Sequence, residues 1–408
     1  MRVNHKRSLR ILYLTQHTHP DPGAPATRSF DLSRFWTEAG HRITVLAAGQ
    51  STAAGQNNNG FDRVRVVRCP VRPVDPAHTS DIIRFQAGFA LKAAVMAVQV
   101  CRRWRPDVVL ASVPALSVLV PALAAVSVSG ASLVVEVRDI WPEELIAFGF
   151  PSSGPLPALV DSLLQAAYRR ADRVVTVTEG FKTRLLQKGI PFRKLSVVPH
   201  GADLQTFKPL PSENWFRRDH GWDNDIFIAL YAGNMGRAQG VADLVEAARF
   251  LPESIRLVLV GRGNQRRCVE QAVKWNSFGN IVLLSNQPRT VMPWVYAAAD
   301  VCLVPLRQTS VLADAVPSKL AEIMACGRPV IASLAGAAAD LVGQSGAGMA
   351  VPPGDPETLA RAVIDTARKS RDELKAMGQS ARVFAEQNFD RRLHANEYLK
   401  ILTRVCHE

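Results

Sequence analysis

The feature that most limits how this chain can fold is a rhythm that runs through it twice. Short β-branched runs without polar alternation are each followed by a longer helical pattern. In the first half the runs at 10–15, 42–47, 64–67, 107–111, 133–137, 173–178 and 195–198 read as strands. Helices are predicted over 28–39, 81–104, 116–128 and 155–171. A strand apolar at every position is buried on both faces, which calls for a parallel sheet covered by helices. A proline-rich stretch, Pro199 to Pro211, interrupts the pattern, and it then restarts. Strands at 226–231, 255–260, 281–284, 301–304 and 330–332 alternate with helices near 240–249, 264–276, 290–298, 317–326 and 356–367. Residues 371–406 read as two helices with a break near 388–390.

The fold class expected is therefore α/β, two Rossmann-like domains whose parallel sheets face an interdomain cleft at their carboxyl ends. The domains are assigned to 1–200 and 201–385, with a C-terminal helix over 386–408 able to cross back to the first. A length of 408 residues suits two domains, each large enough for its own core.

Composition narrows the function classes. Apolar content of 47% and charged content of 21% are those of a folded protein. Net charge is +13, and residues 1–110 hold 16 Lys/Arg against 7 Asp/Glu. That excess points to an anionic partner: nucleic acid, anionic lipid or a phosphorylated substrate. No aromatic-basic interleaving or recognition-helix motif accompanies it, which disfavours nucleic acid. Six scattered cysteines without metal spacing read as reduced thiols in a cytoplasmic protein. The apolar run at 11–15 is too short for a secretory signal, and 115–137 reads as a helix and a buried strand rather than a membrane span. Residues 56–60 read as a solvated loop.

Chemistry concentrates at 314–332. Asp314 precedes the helix-borne Glu322 by eight positions, with Pro317-Ser318-Lys319 as a turn between them. Turn amides at a helix start bind phosphate oxygens. Glu322 can accept hydrogen bonds from two ribose hydroxyls, and Asp314 from hydroxyls of a bound sugar. An ordinary helix with a polar start fits the same residues. Gly233, Gly236 and Gly240 after the first strand of the second half, and Gly261 and Gly263 after the second, let backbone approach a ligand; simple turns explain them too. Asp223-Asn224-Asp225 spells a metal motif but reads as a polar turn.

In the first half, Asp139 and Glu143 lie just past a strand end. Asp139 can accept from a ligand hydroxyl or face a positive charge (in the family resembled below, an acceptor hydroxyl or a reacting sugar carbon), and equally caps the helix after Pro142. His17 is a base or hydroxyl binder, or a satisfied loop group. Arg28 can meet an acceptor phosphate. His200 lies at the hinge, where packing is as good a reading as catalysis. The helix over 81–104, apolar with a basic end, can lie on an anionic leaflet or be a core helix with its dipole satisfied.

Taken together, Val198-Pro-His-Gly-Ala-Asp203, Tyr231-Ala-Gly-Asn234, Ala299-Asp-Val-Cys-Leu-Val-Pro305 and Pro317-Ser-Lys-Leu-Ala-Glu322 resemble glycosyltransferase family four, of GT-B fold. Gly23-Ala-Pro-Ala-Thr-Arg28 and Arg138-Asp-Ile-Trp-Pro-Glu143 resemble a branch that builds bacterial surface polysaccharides such as O-antigen. The resemblance implies a retaining, metal-independent transferase with no cofactor beyond a UDP-sugar donor. The sugar would be hexosyl or N-acetylhexosaminyl, passing to a saccharide or polyprenyl-diphosphate-linked acceptor at the inner membrane face. It implies a Glu-x7-Glu pair whose first member is shortened here to Asp314. The family's diphosphate-gripping Arg and Lys fall at Asn234 and Gln239, so a cation or a set of amides must supply the charge elsewhere; Lys319, Arg237 and Arg262 are the candidates, and Lys319, nearest the turn, is the one expected. The expected donor-binding set is Gly233, Asn234, Gly236, Arg237, Arg262, Ser318 and Glu322. Asp139, Asp314, Lys319 and His17 form the expected catalytic set, and Gly23, Arg28 and Glu143 the acceptor set. No metal ligand is expected. A sugar-nucleotide epimerase of the same fold and a basic nucleic-acid binder are the alternatives.

Overall fold

The structure is a computed structural model, and it describes residues 8–21, 23–49, 64–71, 79–143, 153–223, 225–276 and 279–407. The 56–60 loop and Asn224 of the Asp-x-Asp turn lie outside the described residues. The chain divides into two compact units, Met1–Pro199 with Arg392–Glu408, and His200–Arg391.

Unit 1 is built on seven strands: β1 (Arg10–Leu14), β2 (Arg42–Ala48), β3 (Val64–Cys69), β4 (Val108–Val113), β5 (Ser132–Val137), β6 (Arg173–Thr176) and β7 (Leu195–Val197). They form one sheet, all parallel, in the order β3-β2-β1-β4-β5-β6-β7. β1 therefore pairs with both β2 and β4, and ligand sites of α/β sheets form at the carboxyl ends beside such a reversal. The crossovers carry α1 (Ala24–Glu38), α2 (Thr79–Trp104), α3 (Leu119–Ser129), α4 (Pro155–Arg170) and α5 (Glu179–Gln187). The nearly uncharged 115–137 stretch resolves into a short 3-10 turn, α3 and β5. Among the described residues no helix is long and apolar enough to cross a membrane.

Unit 2 repeats the plan with β8 (Phe227–Asn234), β9 (Ile255–Arg262), β10 (Ile281–Leu284), β11 (Val301–Leu303), β12 (Val330–Ser333) and β13 (Gly348–Val351). Their order is β10-β9-β8-β11-β12-β13, again all parallel, with the reversal at β8 and β11. Its helices are α6 (Trp215–Asp219), α7 (Val241–Ala247), α8 (Arg266–Asn276), α9 (Met292–Ala297), α10 (Ser318–Ala325), α11 (Ala337–Ser345), α12 (Pro356–Ala367) and α13 (Arg371–Asn388). Successive strand residues serve opposite cores, because side chains alternate across a pleated sheet. Ile228, Leu230 and Ala232 pack with Val258, Val260 and Val304 on one face. Ala229 and Tyr231 pack with Leu257, Leu259 and Ile331 on the other.

The last helix, α14 (Arg391–Val405), belongs to unit 1 for nearly all its length. Ala395, Tyr398 and Leu402 join Tyr13, Leu32 and Trp36 in the unit 1 core. The Trp36 indole donates to the Ala395 carbonyl at 2.8 Å, and its ring meets Tyr398 edge-on at 5.5 Å.

Candidate functional site

The residues singled out in unit 2 converge where β8 ends. β8 finishes on Gly233-Asn234, paired in register with Gly261-Arg262 of β9. A methyl group on Gly261 would stand 1.9 Å from the Gly233 carbonyl oxygen, and Gly261 has φ +151°. Only glycine allows the two strand ends this close. The chain then turns through a 3-10 segment, Arg237–Gln239, into Gly240 and α7.

Lys319, in the first turn of α10, reaches back to this strand end. Its Nζ donates to Tyr231 Oη at 3.1 Å and to Gln239 Oε1 at 2.8 Å, and stands 4.2 Å from the Tyr231 ring centre. A Cβ on Gly233 would lie 3.0 Å from that ammonium, so the glycine gives the lysine its room. Burial pushes Lys319 down to about 7, against the opposing pull of Glu322. Glu322 follows one turn later and is partly exposed. Its charge also raises the buried Tyr296 hydroxyl, a shift in which burial is the larger cause.

Pro317 precedes α10, and no side chain caps the helix start at Ser318. Its main-chain N–H groups therefore meet no local carboxylate or hydroxyl cap. Asp314 ends a 3-10 turn, Leu312–Asp314, and is half-buried. That turn is braced from behind: a Cβ on Gly336 would come 2.1 Å from the Ala313 carbonyl oxygen. Asn234 and Arg262, the last residues of β8 and β9, and Arg237 in the turn after β8 are exposed, and Gly236 lies close beneath the Asn234 amide. Lys319, Gly233 and Gln239 are thus together, with Asn234 and Gly236 on the same loop. Glu322 stands on the same helix as Lys319, within electrostatic reach. Tyr231, quoted above within a strand and a motif but given no role, proves to be the lysine's platform; a tyrosine two residues before a glycine near the strand end was the available signal.

In unit 1 the expected residues are more dispersed in role. Asp139 follows β5 and is half-buried; burial raises its carboxyl to about 6 against the opposing Arg138 guanidinium. His17 lies past β1, 45% exposed, with Nδ1 3.8 Å from Asp21. Burial would raise the Asp21 carboxyl, but the nearby His17 imidazole and the Arg68 guanidinium, which donates to it at 2.8 Å, hold it near 2. Gly23 opens α1 with φ +104° and no side-chain cap. Glu143 is paired with Lys188 at 2.8 Å, and the same ammonium donates to the Trp141 carbonyl at 2.9 Å.

Arg28 departs from expectation. Instead of presenting its guanidinium to an acceptor phosphate, it is 2% exposed and ion-paired with Glu136 at 2.8 Å. It also donates to the Pro199 and Val198 carbonyls at 3.1 and 3.3 Å. Ser112 completes the set by donating to Glu136 at 2.6 Å. A carboxylate in a fully buried strand needs such a partner, and Glu136 within the apolar run 133–137 was the sign of it. Next to this pair, Arg138 is 8% exposed, and burial lowers its affinity for its proton.

Among the described residues no cluster of three or more His, Cys, Asp or Glu side chains is placed to hold a metal ion. None of the six cysteines is joined in a disulfide, and Cys69, Cys101, Cys302 and Cys326 are buried.

Residues 23–201 match the glycosyl transferase 4-like domain, and residues 227–369 match the glycosyl transferases group 1 family. The chain is 24% identical over 310 residues to the putative colanic acid biosynthesis glycosyl transferase WcaI of Escherichia coli K12, covering 72% of this chain and 75% of that one. It is 26% identical over 294 residues to the probable glycosyltransferase WbjE of Pseudomonas aeruginosa, covering 71% and 72%. Among solved structures it superposes on Anabaena HepE in complex with UDP-glucose with a TM-score of 0.76 at 20% identity, covering 97% of this chain and 100% of that one. The sucrose-phosphate synthase of Thermosynechococcus elongatus gives 0.77 at 18% identity, covering 98% and 99%. The structural likeness establishes the fold as GT-B.

Proposed function

We propose that this chain, a glycosyltransferase of GT-B fold, moves a sugar from a UDP-sugar to a saccharide or polyprenyl-diphosphate-linked acceptor, with retention at the anomeric carbon. The product would be part of a cell-surface polysaccharide, as the names of the WcaI and WbjE relatives suggest. The UDP-glucose in the HepE structure supports a uridine donor.

The observation that carries the reading is Lys319 Nζ held over Gly233 between Tyr231 and Gln239. Loss of a diphosphate needs developing negative charge neutralised, and a fixed cation beside a glycine-lined strand end suits that task. In this reading Ser318 and the α10 start bind phosphate oxygens, and Glu322 accepts from the ribose hydroxyls. Asp314 orients hydroxyls of the transferred sugar. Gly233 and Gly236 keep backbone close to the diphosphate. Asn234, Arg237 and Arg262 line the approach. Asp139 of unit 1 holds the acceptor hydroxyl, with His17, Gly23 and Glu143 shaping its surroundings.

The anomeric C–O bond to the diphosphate breaks while the acceptor oxygen bonds to the same face of that carbon. The acceptor proton passes to the departing phosphate oxygen, leaving UDP and the glycosylated acceptor. No metal is called on, because Lys319 and the turn amides carry the charge.

Thermal-shift measurements against UDP-, GDP- and ADP-sugars test the donor, since a ligand of the native state raises the melting point. UDP-sugars should stabilise the protein, and Glu322→Ala should remove the shift; a shift that survives overturns the ribose assignment. UDP release dependent on added saccharide separates transfer from epimerisation. An inverted anomeric configuration in the product by NMR would overturn retention.

A further inference from the structure

Unit 1 has few free side chains for the acceptor assigned to it. Of the three residues expected to meet that acceptor, Gly23 has no side chain, Arg28 is buried on Glu136, and Glu143 is paired with Lys188. A different polar group stands at the carboxyl ends of β1 and β4, where the strand order reverses. Gln16, two residues past β1, is 7% exposed, and the Ala48 N–H fixes its carbonyl to β2 at 3.1 Å. Its amide nitrogen donates to Gln86 Oε1 on α2 at 3.2 Å. Ser117, 7% exposed on the turn before α3, donates to the same oxygen. Two donors therefore occupy Gln86 Oε1, which leaves each amide one free end, Gln86 Nε2 and Gln16 Oε1. Neither end has a partner among the described residues, and neither is sealed from solvent. Turning both amides over exchanges the two ends and still leaves one donor and one acceptor.

We propose that Gln16 and Gln86 form a binding site for a neutral saccharide unit, the part of the acceptor that carries the hydroxyl to be glycosylated. A sugar hydroxyl both donates and accepts, so neighbouring hydroxyls of one ring satisfy both free ends. A phosphate or carboxylate would set its oxygens against the free carbonyl oxygen, and a metal ion would meet the free N–H pair. Gln16, Gln86 and Ser117 carry no charge, so the site reads a hydroxyl pattern. The bonds among the three hold both amides in place before the sugar arrives, which limits the ordering that binding must impose. Gln16 and Asp139 stand two residues beyond Leu14 and Val137, which share one face of the sheet. β1 and β5 are two strand spacings apart, about 10 Å, an interval that one sugar ring bridges. A ring held by the amide pair thus directs a hydroxyl toward the Asp139 carboxylate. This site rests on the transfer proposed above and gives its acceptor a chemical class.

Ligand-observed NMR on the full chain tests the site, with a panel of neutral methyl hexosides and methyl N-acetylhexosaminides and with methyl glucuronide as the anionic comparison. At least one neutral glycoside should show saturation transfer, and the glucuronide should bind more weakly than methyl glucoside. In Gln86→Glu the carboxylate still accepts from Gln16 and Ser117, but the outward N–H pair is gone. That variant should melt with the wild type, keep the rise in melting point that UDP causes, and bind the neutral glycoside on the order of tenfold more weakly. Gln86→Leu should weaken the glycoside at least as much. Wild-type glycoside affinity in Gln86→Glu overturns the proposal, because the glutamine then serves only to hold Gln16 and Ser117. A glucuronide that binds more tightly than methyl glucoside overturns the neutral class. A wild type that binds no neutral glycoside while UDP still stabilises it also overturns the site, and the donor assignment then survives. If UDP leaves the wild-type melting point unchanged, the transfer reading falls and this site falls with it.

Discussion

Lys319 has a pH signature of its own. Its ordinary value of 10.5 falls to about 7 through burial. Between those values the unfolded chain binds a proton that the folded chain does not, so this residue makes stability rise with pH across that window. Lys319→Met should flatten that slope in melting curves taken between pH 7 and 10. A bound diphosphate favours the charged lysine, so donor binding above pH 7 should take up a proton and weaken as pH climbs. Calorimetry in buffers of different ionisation enthalpy reads that uptake directly, and the substitution should abolish it. Asp139 gives an opposite limb. With its carboxyl near 6, kcat/KM should fall as pH drops below 6, and Asp139→Asn should remove the limb along with most of the rate. At Glu136 the concern is stability instead. Glu136→Ala leaves Arg28 buried without its counter-charge and should cost about 3–5 kcal/mol, measured by denaturant unfolding. The surroundings of these residues were legible in unequal measure. Lys319 stood out because a diphosphate site needs a cation and the two loop positions, Asn234 and Gln239, lack one. Arg28 was misassigned because its partner lies 108 positions away, a separation that spacing cannot reveal.

At the scale of elements, the strands were the most readable part, because a run such as 301–304 has no polar position to face water. Helices with distinct ends were nearly as clear: α12 starts at Pro356 after an Asp355 cap, and α13 after a Ser370–Glu373 capping box. The segment 337–351 escaped notice. Its alanines and glycines show little amphipathic contrast, yet it forms α11 and the edge strand β13. α5 and α6 are short and were missed for want of periods to count. The glycines at and just past the ends of β8 and β9 were read as making space for a ligand or as simple turns, whereas Gly261, inside β9, also makes space for β8. Gly261→Ala should therefore destabilise unit 2 by about 3 kcal/mol or more, seen as a lower melting point even without donor.

For the whole molecule, the consequential feature is that α14 completes a core begun some 390 residues earlier. Removing residues 392–408 takes Ala395, Tyr398 and Leu402 from around Trp36 and Tyr13. Losing large buried side chains costs about 3–5 kcal/mol each, so the truncated chain should lose amide-exchange protection throughout unit 1 while unit 2 keeps its own. The same arrangement sets a timetable during synthesis. At ribosomal speeds roughly 10–40 s separate the emergence of β7 from that of α14. Through that interval the nascent first half holds Trp36 and Tyr13 without the α14 side chains that pack against them, so unit 1 can complete its core only after unit 2 has been made.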